Sequence, residues 1–320
     1  MISPCRNEAA YIKKTLDSVI AQSVRPAIWV IVDDGSTDAT PSILADYATQ
    51  HDWIKVLPKP DRGHRVVGPG VVEAFYAGLA TIDIDDYAFI CKLDVDLDLP
   101  ETYFETLIAR MAANPRLGSC SGKPYYHTET GRWVSEKCGN EMSVGMTKFY
   151  RVACFKAIGG FVCEVMWDGI DCHKARQLGW VARSWDEPGL QFEHLRPMGS
   201  SQQSILTGRR RTGFGQYYMG SDPLYFTATA LYRMTQRPFL VGGAAMLYGY
   251  FSAMVRRLPR HGDLELRHFI RSYQRQALLL GKAQAVRNIE SRQESLWRKI
   301  SGPPLSAARE VGSTPTGPQM

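Results

Sequence analysis

The chain has 320 residues, a formal net charge of +6, 44% hydrophobic residues and 22% charged residues. This length can bury a sizeable core, and the composition excludes a wholly disordered chain and a protein made mainly of membrane spans. The charge is uneven, because residues 205–300 contain 16 Lys or Arg against 5 Asp or Glu. Such a basic region is either a solvated surface or the neighbour of an anionic partner, lipid head groups or nucleic acid.

Helical and strand patterns alternate through the first 113 residues. Periodic apolar positions predict helices, and short apolar runs rich in β-branched residues predict buried strands. In chain order the predicted elements are a helix over 8–22, a strand over 27–32, a helix over 40–50, a strand over 53–57, a helix over 71–80, a strand over 87–93 and a helix over 100–113. This order predicts an α/β fold with a mostly parallel, Rossmann-like sheet.

Two of the predicted strands end in clusters of acids. Asp33 and Asp34 follow one strand, and Asp94, Asp96 and Asp98 follow another. Ligands of open α/β sheets bind at the carboxyl ends of the strands, so both clusters should lie at one edge. Alternate residues of an extended segment point to one side, where three carboxylates repel unless a cation such as Mg²⁺ or Mn²⁺ lies between them. The alternative is a solvated acidic loop in which Asp98 caps the following helix.

Cysteine usage indicates a reducing compartment. The seven cysteines contain no CxxC pair, so neither a disulfide framework nor a zinc site is expected. The opening residues MISPCRNEAA lack the apolar segment of a signal peptide. We therefore expect a cytoplasmic catalytic domain.

Five motifs occur in a fixed order within the first 200 residues. They are Ser3-Pro4-Cys5-Arg6-Asn7-Glu8, Val32-Asp33-Asp34-Gly35-Ser36-Thr37-Asp38, Asp94-Val95-Asp96, Gly159-Gly160-Phe161 and Trp167-Asp168-Gly169-Ile170-Asp171. Each motif is modest alone, but the ordered set resembles the family-2 glycosyltransferases, which have the GT-A fold. Residues 94–101 (DVDLDLPE) are further similar to the polyprenyl-phosphate branch, and polysaccharide-forming branches are also similar. Only three residues precede Pro4, where the family has a full apolar strand, so we expect the coding start to lie upstream.

The resemblance implies roles for the residues that match. Pro4, Arg6 and Glu8 would line the nucleotide pocket, and Asp33 or Asp34, or both, would bind the base or ribose. Asp94 and Asp96, with Asp98 as a further candidate, would hold Mg²⁺ or Mn²⁺ on the diphosphate. His194 is similar to a late family histidine that approaches the metal or diphosphate, although a lone histidine is more often structural.

Asp168 is the implied catalytic base. It lies 11 residues before Gly179, which is the spacing of the family's catalytic aspartate. A carboxylate there would remove the proton of an acceptor hydroxyl during a single, inverting displacement. Asp171 is the near competitor, and Asp168 could instead only cap a helix over 172–178.

The C-terminal third is expected to be a basic helical appendage that associates with a membrane. Residues 238–255 carry no charge and precede Arg256 and Arg257. A helix of that length spans about 27 Å, slightly less than a bilayer core. A re-entrant or interfacial helix, a true span and a buried or dimer-interface helix all stay open. Residues 264–280 predict an amphipathic helix, and residues 301–320 predict a disordered tail.

Together these features predict a GT-A domain over 1–204 and a helical region over 205–300. The expected protein is an inverting glycosyltransferase that uses a nucleotide-sugar donor and a lipid-linked or polysaccharide acceptor. It would lie on the inner face of the cell membrane, with no nucleic acid as partner. One alternative is a nucleotidyltransferase or other nucleotide-diphosphate enzyme, for which residues 63–70 are a weak phosphate-loop candidate. Another is a non-catalytic basic membrane-binding protein, which leaves the acidic strand ends unexplained.

Overall fold

The computed structural model describes residues 1–64, 66, 68–196, 205–236 and 238–301. The strands are β1 Ile2–Cys5, β2 Trp29–Asp33, β3 Ile54–Pro58, β4 Phe89–Leu93, β5 Leu97–Asp98, β6 Leu117–Ser121, β7 Lys123–His127, β8 Trp133–Ser135, β9 Thr147–Arg151, β10 Val181–Ser184 and β11 Gln191–His194. The helices are α1 Ile12–Ile20, α2 Thr40–Gln50, α3 Pro69–Leu79, α4 Tyr103–Ala113, α5 Val152–Ala157, α6 Trp167–Gln177, α7 Ile205–Met219, α8 Pro223–Met234, α9 Val241–Val255, α10 Leu264–Leu280 and α11 Lys282–Ser301.

The central sheet is mostly parallel, as the order of elements predicts. Its seven strands run β10-β6-β9-β4-β1-β2-β3. β1 pairs in parallel with both β2 and β4, whereas β9 runs antiparallel between β4 and β6. The carboxyl ends of β1, β2 and β4 therefore meet at one edge, which confirms that the two acidic clusters share it. A second sheet of four strands runs β5-β11-β7-β8.

Helices cover both faces of the central sheet. Apolar side chains of α1, α2 and α4 pack on one face, and those of α3, α5 and α6 pack on the other. Every residue of β2 is buried. Burial on both faces explains why this strand is a continuous apolar run rather than an alternating one.

Most predicted helices and strands lie within a few residues of their observed bounds, and α2 and α10 match them. α1 begins only at Ile12, because residues 8–11 form a turn in which the Glu8 carbonyl accepts hydrogen bonds from the amides of Tyr11 and Ile12. α6 begins at Trp167, five residues before the predicted helix. The prediction that Asp168 caps this helix is wrong: Met166 is the N-cap, with φ 63° and ψ 17°, and Asp168 lies in the first turn.

The C-terminal helices pack directly on the α/β layers. α10 contacts α6 through a cluster of Ile170, Met219, Leu266 and Ile270, and Trp297 of α11 meets Trp180 edge-on. The described part of residues 205–301 forms the helices α7 to α11 and their connections. The predicted domain boundary at 204 and nearly all of the predicted tail lie outside the described residues.

The apolar segment 238–255 forms a helix of 15 residues, α9, which packs closely against its neighbours. A Cβ added to Gly249 would lie 2.1 Å from the carbonyl oxygen of Arg210, and one added to Gly243 would lie 2.3 Å from that of Ala230. These glycines permit the approach of α7 and α8. Over the residues that the structure describes, no helix is both long and apolar enough to cross a membrane.

Candidate active site

Loops after β1, β2 and β3 form one charged cluster at the sheet edge. Asp33 Oδ1 accepts a hydrogen bond of 2.9 Å from the Ser36 amide and closes the turn after β2. The Asp34 carboxylate lies 2.8 Å from Lys59 Nζ and 2.6 Å from Arg62 Nη2. Asp33, Asp34 and Lys59 lie at or directly after the carboxyl ends of β2 and β3, where open α/β sheets carry their ligand-binding side chains. Arg62, which follows β3, was not predicted as a residue of this site.

Arg6 links the loops that follow β2 and β3. Its guanidinium donates to the carbonyl oxygen of Asp34 and to Asp61 Oδ1, the latter at 2.5 Å. Gly35 has φ 76°, and a Cβ there would lie 2.4 Å from the Asp61 Cα, so only glycine fits. Pro4 is half-buried in β1, opposite Val32. Asp61 was missed, although it follows the parallel strand β3 at the same edge.

The acidic segment after β4 is held by α1 and β11. Thr15 Oγ1 donates to the carbonyl oxygen of Leu97 at 2.7 Å and accepts from its amide at 2.9 Å. β11 pairs antiparallel with β5, and the Leu195 amide donates to the Asp96 carbonyl at 2.9 Å. This register brings His194, from the far end of the domain, beside Asp96.

Two cationic side chains balance the charge of Asp96. Arg196 Nη2 lies 2.7 Å from Asp96 Oδ2 and 3.0 Å from Glu8 Oε1. His194 Nε2 lies 3.5 Å from Asp96, and its Nδ1 lies 3.1 Å from Glu136. Burial alone would lower the pKa of His194, but hydrogen bonds to the two carboxylates raise it to about 9. Arg196 and Glu136 were not predicted, because only strand pairing brings them here.

The other predicted metal ligands have separate partners. Asp94 pairs with Lys92, and burial raises the pKa of Asp94 against the opposing effect of that ammonium. Asp98 lies 3.2 Å from Lys14 Nζ on α1, away from Asp96. Within the described ranges, no group of three His, Cys, Asp or Glu side chains is placed to hold a metal ion. Ligation by these residues therefore stays a prediction.

Asp168 lies against the same loop that contacts Lys92. A Cβ added to Gly145 would be 2.9 Å from Asp168 Oδ2, and Lys92 Nζ donates to the Gly145 carbonyl at 3.0 Å. Asp168 is partly exposed. Its competitor Asp171 is buried and accepts hydrogen bonds from Lys148 at 2.7 and 2.5 Å. Of the two carboxylates, only Asp168 is accessible to an acceptor.

The Gly159-Gly160-Phe161 motif builds the turn that leads to α6. Both glycines have positive φ, 78° and 76°, a conformation that other residues adopt at a cost. The Tyr76 hydroxyl accepts from the Phe161 amide at 2.7 Å and donates to its carbonyl at 2.9 Å. The motif therefore shapes the backbone and carries no reacting group.

A sequence model described as "Glycosyl transferase family 2" matches residues 1–166. The chain belongs to glycosyl transferase family 2. This membership confirms the resemblance drawn from the motifs. The matched range includes the acidic segment after β4 and ends just before Asp168, so the family match does not itself reach the predicted base or His194.

Known members and structures of similar fold extend this comparison. Poly-β-1,6-N-acetyl-D-glucosamine synthase of Staphylococcus epidermidis is 29% identical over 121 residues, 38% of this chain and 27% of that protein. The match therefore spans only about a quarter of that relative. The solved structure of S. aureus TarS 1–349 with UDP has a TM-score of 0.50 at 17% identity and covers 93% of this chain and 90% of its own. GalNAc-T7 with UDP, GalNAc and Mn²⁺ has a TM-score of 0.52 at 15% identity, covering 84% and 52%. These likenesses show the α/β GT-A-like fold of this family member.

Proposed function

We propose that this glycosyl transferase family 2 member moves a sugar from a nucleotide-sugar donor to an acceptor, with inversion at the anomeric carbon. The proposal rests on the contacts that Asp168 and Lys92 both make with Gly145. Asp168 lies against this glycine, and Lys92 joins its carbonyl to Asp94. An accessible carboxylate thus faces the edge at which the donor diphosphate would bind.

The charged cluster after β1, β2 and β3 is the proposed nucleotide pocket. It supplies carboxylate acceptors from Asp33 and Asp34 and guanidinium donors from Arg6 and Arg62, which suit a base and a ribose. TarS is solved with UDP and GalNAc-T7 with UDP and GalNAc, which favours a nucleoside diphosphate as the leaving group here. The loop over 63–70, which a nucleotidyltransferase would use, lies partly outside the described residues.

A divalent cation, Mg²⁺ or Mn²⁺, is the proposed cofactor. Asp94 and Asp96 would hold it through carboxylate oxygens, which suit these ions, and His194 would add a ring nitrogen. These residues fit a cation, because Asp96 already attracts Arg196 and protonated His194. When bound, the ion supplies positive charge that stabilises the departing diphosphate. His194 must lose its proton to ligate, so ion binding should release a proton below about pH 9.

Asp168 is the proposed general base. Its carboxylate is accessible, whereas Asp171 is enclosed by Lys148 and Tyr150. Asp168 would accept the proton of the acceptor hydroxyl as that oxygen attacks the anomeric carbon. In a single displacement the hydroxyl oxygen attacks the anomeric carbon from the side opposite the departing diphosphate. A single displacement of this geometry inverts the anomeric centre.

The acceptor is proposed to be lipid-linked or a polysaccharide, met at the cytoplasmic surface of a membrane. α8 and α9 are antiparallel, since Phe226 stacks on Tyr250 with centroids 4.7 Å apart and Gly243 meets Met234. On each helix the exposed apolar side chains form a stripe that lies roughly 130° around the helix axis from the contact between α8 and α9. The rotation has the same sense on both antiparallel helices, so the two stripes face the same side of the pair. The exposed apolar residues are Leu224, Leu231 and Tyr232 on α8, Phe239 and Leu240 in the link, and Val241, Tyr248 and Val255 on α9.

Charge indicates which surface this apolar face would meet. Residues 223–262 contain five arginines and no Asp or Glu, a pattern that attracts anionic lipid head groups. We expect the protein to sediment with phosphatidylglycerol-containing vesicles but not with phosphatidylcholine vesicles. The double variant Leu231→Glu, Tyr248→Glu should lose this binding, whereas Leu279→Glu on α10 should keep it. Concentration-dependent dimers in place of vesicle binding would reject the membrane proposal.

Calorimetry with UDP, GDP and dTDP tests the donor site, each nucleotide being titrated with Mn²⁺ and with EDTA. We expect one nucleotide to bind only with Mn²⁺, Asp96→Ala to lose this binding, and Asp168→Asn to keep binding but to transfer sugar about 10²–10⁴-fold more slowly. The exposed Asp86→Ala is the matched control and should behave as wild type. Equal binding in EDTA would reject the metal site, and unimpaired transfer by Asp168→Asn would reject the base.

A further inference from the structure

Two lysines lie side by side inside the core of the sheet. The Lys92 and Lys148 side chains are 3% and 0% exposed, and they are direct partners on the antiparallel strands β4 and β9. Like charges opposite each other destabilise a sheet, and burying an ammonium is costly unless it is paired. Hydrophobic residues would be the stable choice at both positions, so this pair requires an explanation other than stability.

Each lysine is paired with a different part of the candidate active site. Lys92 pairs with Asp94 and donates to the Gly145 carbonyl at 3.0 Å. Lys148 donates to both carboxylate oxygens of Asp171 and, at 2.7 Å, to the carbonyl oxygen of Asp168. One ammonium therefore holds a predicted metal ligand, and the other holds the backbone of the predicted base.

The indole of Trp167 lies close to both ammonium groups. Lys92 Nζ is 5.4 Å and Lys148 Nζ 5.7 Å from the centroid of the ring. Both distances are within the range of cation–π attraction, which is stronger where the cation is desolvated. Trp167 is the first residue of α6, and Asp168 is the next. The ring thus fixes the start of this helix against both strands.

We propose that Lys92 and Lys148 are positioning residues that set the distance between the metal-site carboxylate Asp94 and the base Asp168. This inference rests on the proposed function. The connection is continuous: Lys92 joins Asp94 to Gly145, Asp168 lies against Gly145, and Lys148 anchors the backbone of Asp168. Catalytic groups must be held to a fraction of an ångström for efficient attack, and a misplacement of about 1 Å can cost about 100-fold in rate. A buried pair of cations on two adjacent strands supplies this rigidity.

The test measures kcat, donor KM and unfolding of the full chain. Lys148→Met would leave Asp171 buried without its cation, so the double variant Lys148→Met, Asp171→Leu is used. We expect it to lower kcat about 100-fold with donor KM changed less than about twofold. The control is Lys174→Met, which lies on α6 like Asp168 and Asp171 and breaks a pair of 2.5 Å with Asp263, the N-cap of α10; it should leave kcat unchanged.

A second comparison separates positioning from a structural role. If Lys148 acts through Asp168, the double variant should cost little further activity once Asp168 is Asn, because residues that act as a unit are not additive. Equal losses of kcat in both backgrounds would overturn the inference, and so would a loss no larger than that of Lys174→Met.

Trp167→Leu serves if the double variant does not fold. It removes the ring that contacts both lysines, and we expect about tenfold lower kcat with donor KM unchanged. Wild-type kcat in this variant would overturn the inference. A wild-type protein that transfers no sugar to any acceptor would instead reject the proposed function, so the two failures are distinguishable.

Discussion

Gly145→Ala should lower turnover without destabilising the protein. The added Cβ would lie 2.9 Å from Asp168 Oδ2 and 3.3 Å from Asp168 Cβ. Ordinary non-bonded contacts lie at about 3.5 Å, so the carboxylate must move by roughly 0.5 Å. The obstacle is the end of a side chain, and Gly145 does not have the positive φ that favours glycine. The free energy of unfolding should therefore change by less than about 1 kcal/mol.

The substitution should slow the chemical step. A displacement of about 1 Å can cost about 100-fold, so half that distance should cost roughly tenfold in kcat. Donor KM should stay the same, because the nucleotide pocket is formed by other loops. Initial-rate kinetics and urea unfolding give these quantities. Gly262→Ala is the control, since no atom lies within 4 Å of its added Cβ.

Two outcomes would refute this reasoning. A wild-type kcat in Gly145→Ala would show that the Asp168 carboxylate is not held against this loop during the reaction. A higher donor KM with unchanged kcat would show that Gly145 serves donor binding and not the position of the base.

Three further predictions concern stability. Burial lowers the pKa of His173 to about 3, below its unfolded value, so the contribution of this side chain to stability is lost as the pH falls from about 6.5 towards 3. The raised pKa of His194 acts in the opposite direction over the same range, so the effect is measured against His173→Gln: between pH 7.5 and 5.5 the free energy of unfolding of the wild type should fall by about 1.4 kcal/mol relative to that of this variant. Gly249→Ala should cost about 1–3 kcal/mol in thermal or urea unfolding, because its Cβ would meet the Arg210 carbonyl at 2.1 Å; wild-type stability would contradict the packing of α7 on α9. Thr15→Val removes both hydrogen bonds to Leu97, so the free energy of unfolding should fall by about 2 kcal/mol and Mn²⁺ should bind more weakly in calorimetry. Unchanged Mn²⁺ affinity would show that α1 does not position the metal site.

Much of the fold follows from local patterns in the sequence. Strands buried on both faces must be apolar throughout, and the helices between them must carry one apolar face, so the alternation predicts a doubly covered parallel sheet. Parallel pairing then places the ends of β2 and β4 at one edge. This is why Asp34 and Asp96 could be assigned to a common site before any contact was known. Asp61 follows β3 at the same edge, so the same rule could have predicted it.

The partners of the charged groups depend on contacts between distant segments. β11 carries His194 and Arg196 to Asp96 from about 100 residues away, and no local pattern encodes the pairing of β11 with β5. Asp98 has the spacing of a third ligand, yet its partner Lys14 belongs to α1. Spacing alone could not predict that Asp96 and Asp98 have different charged partners.

The sequence by itself determined the type of sheet, the family and the edge at which the donor should bind, because periodicity and short ordered motifs are local properties. Only the tertiary structure shows that Asp168 and Asp171 differ in burial and in charged partners. The two differ by three residues, but the antiparallel β9 places Lys148 so that it buries and neutralises one carboxylate and leaves the other accessible. Burial and charge pairing depend on how distant elements pack, and that is the physical reason why the base could not be settled from spacing.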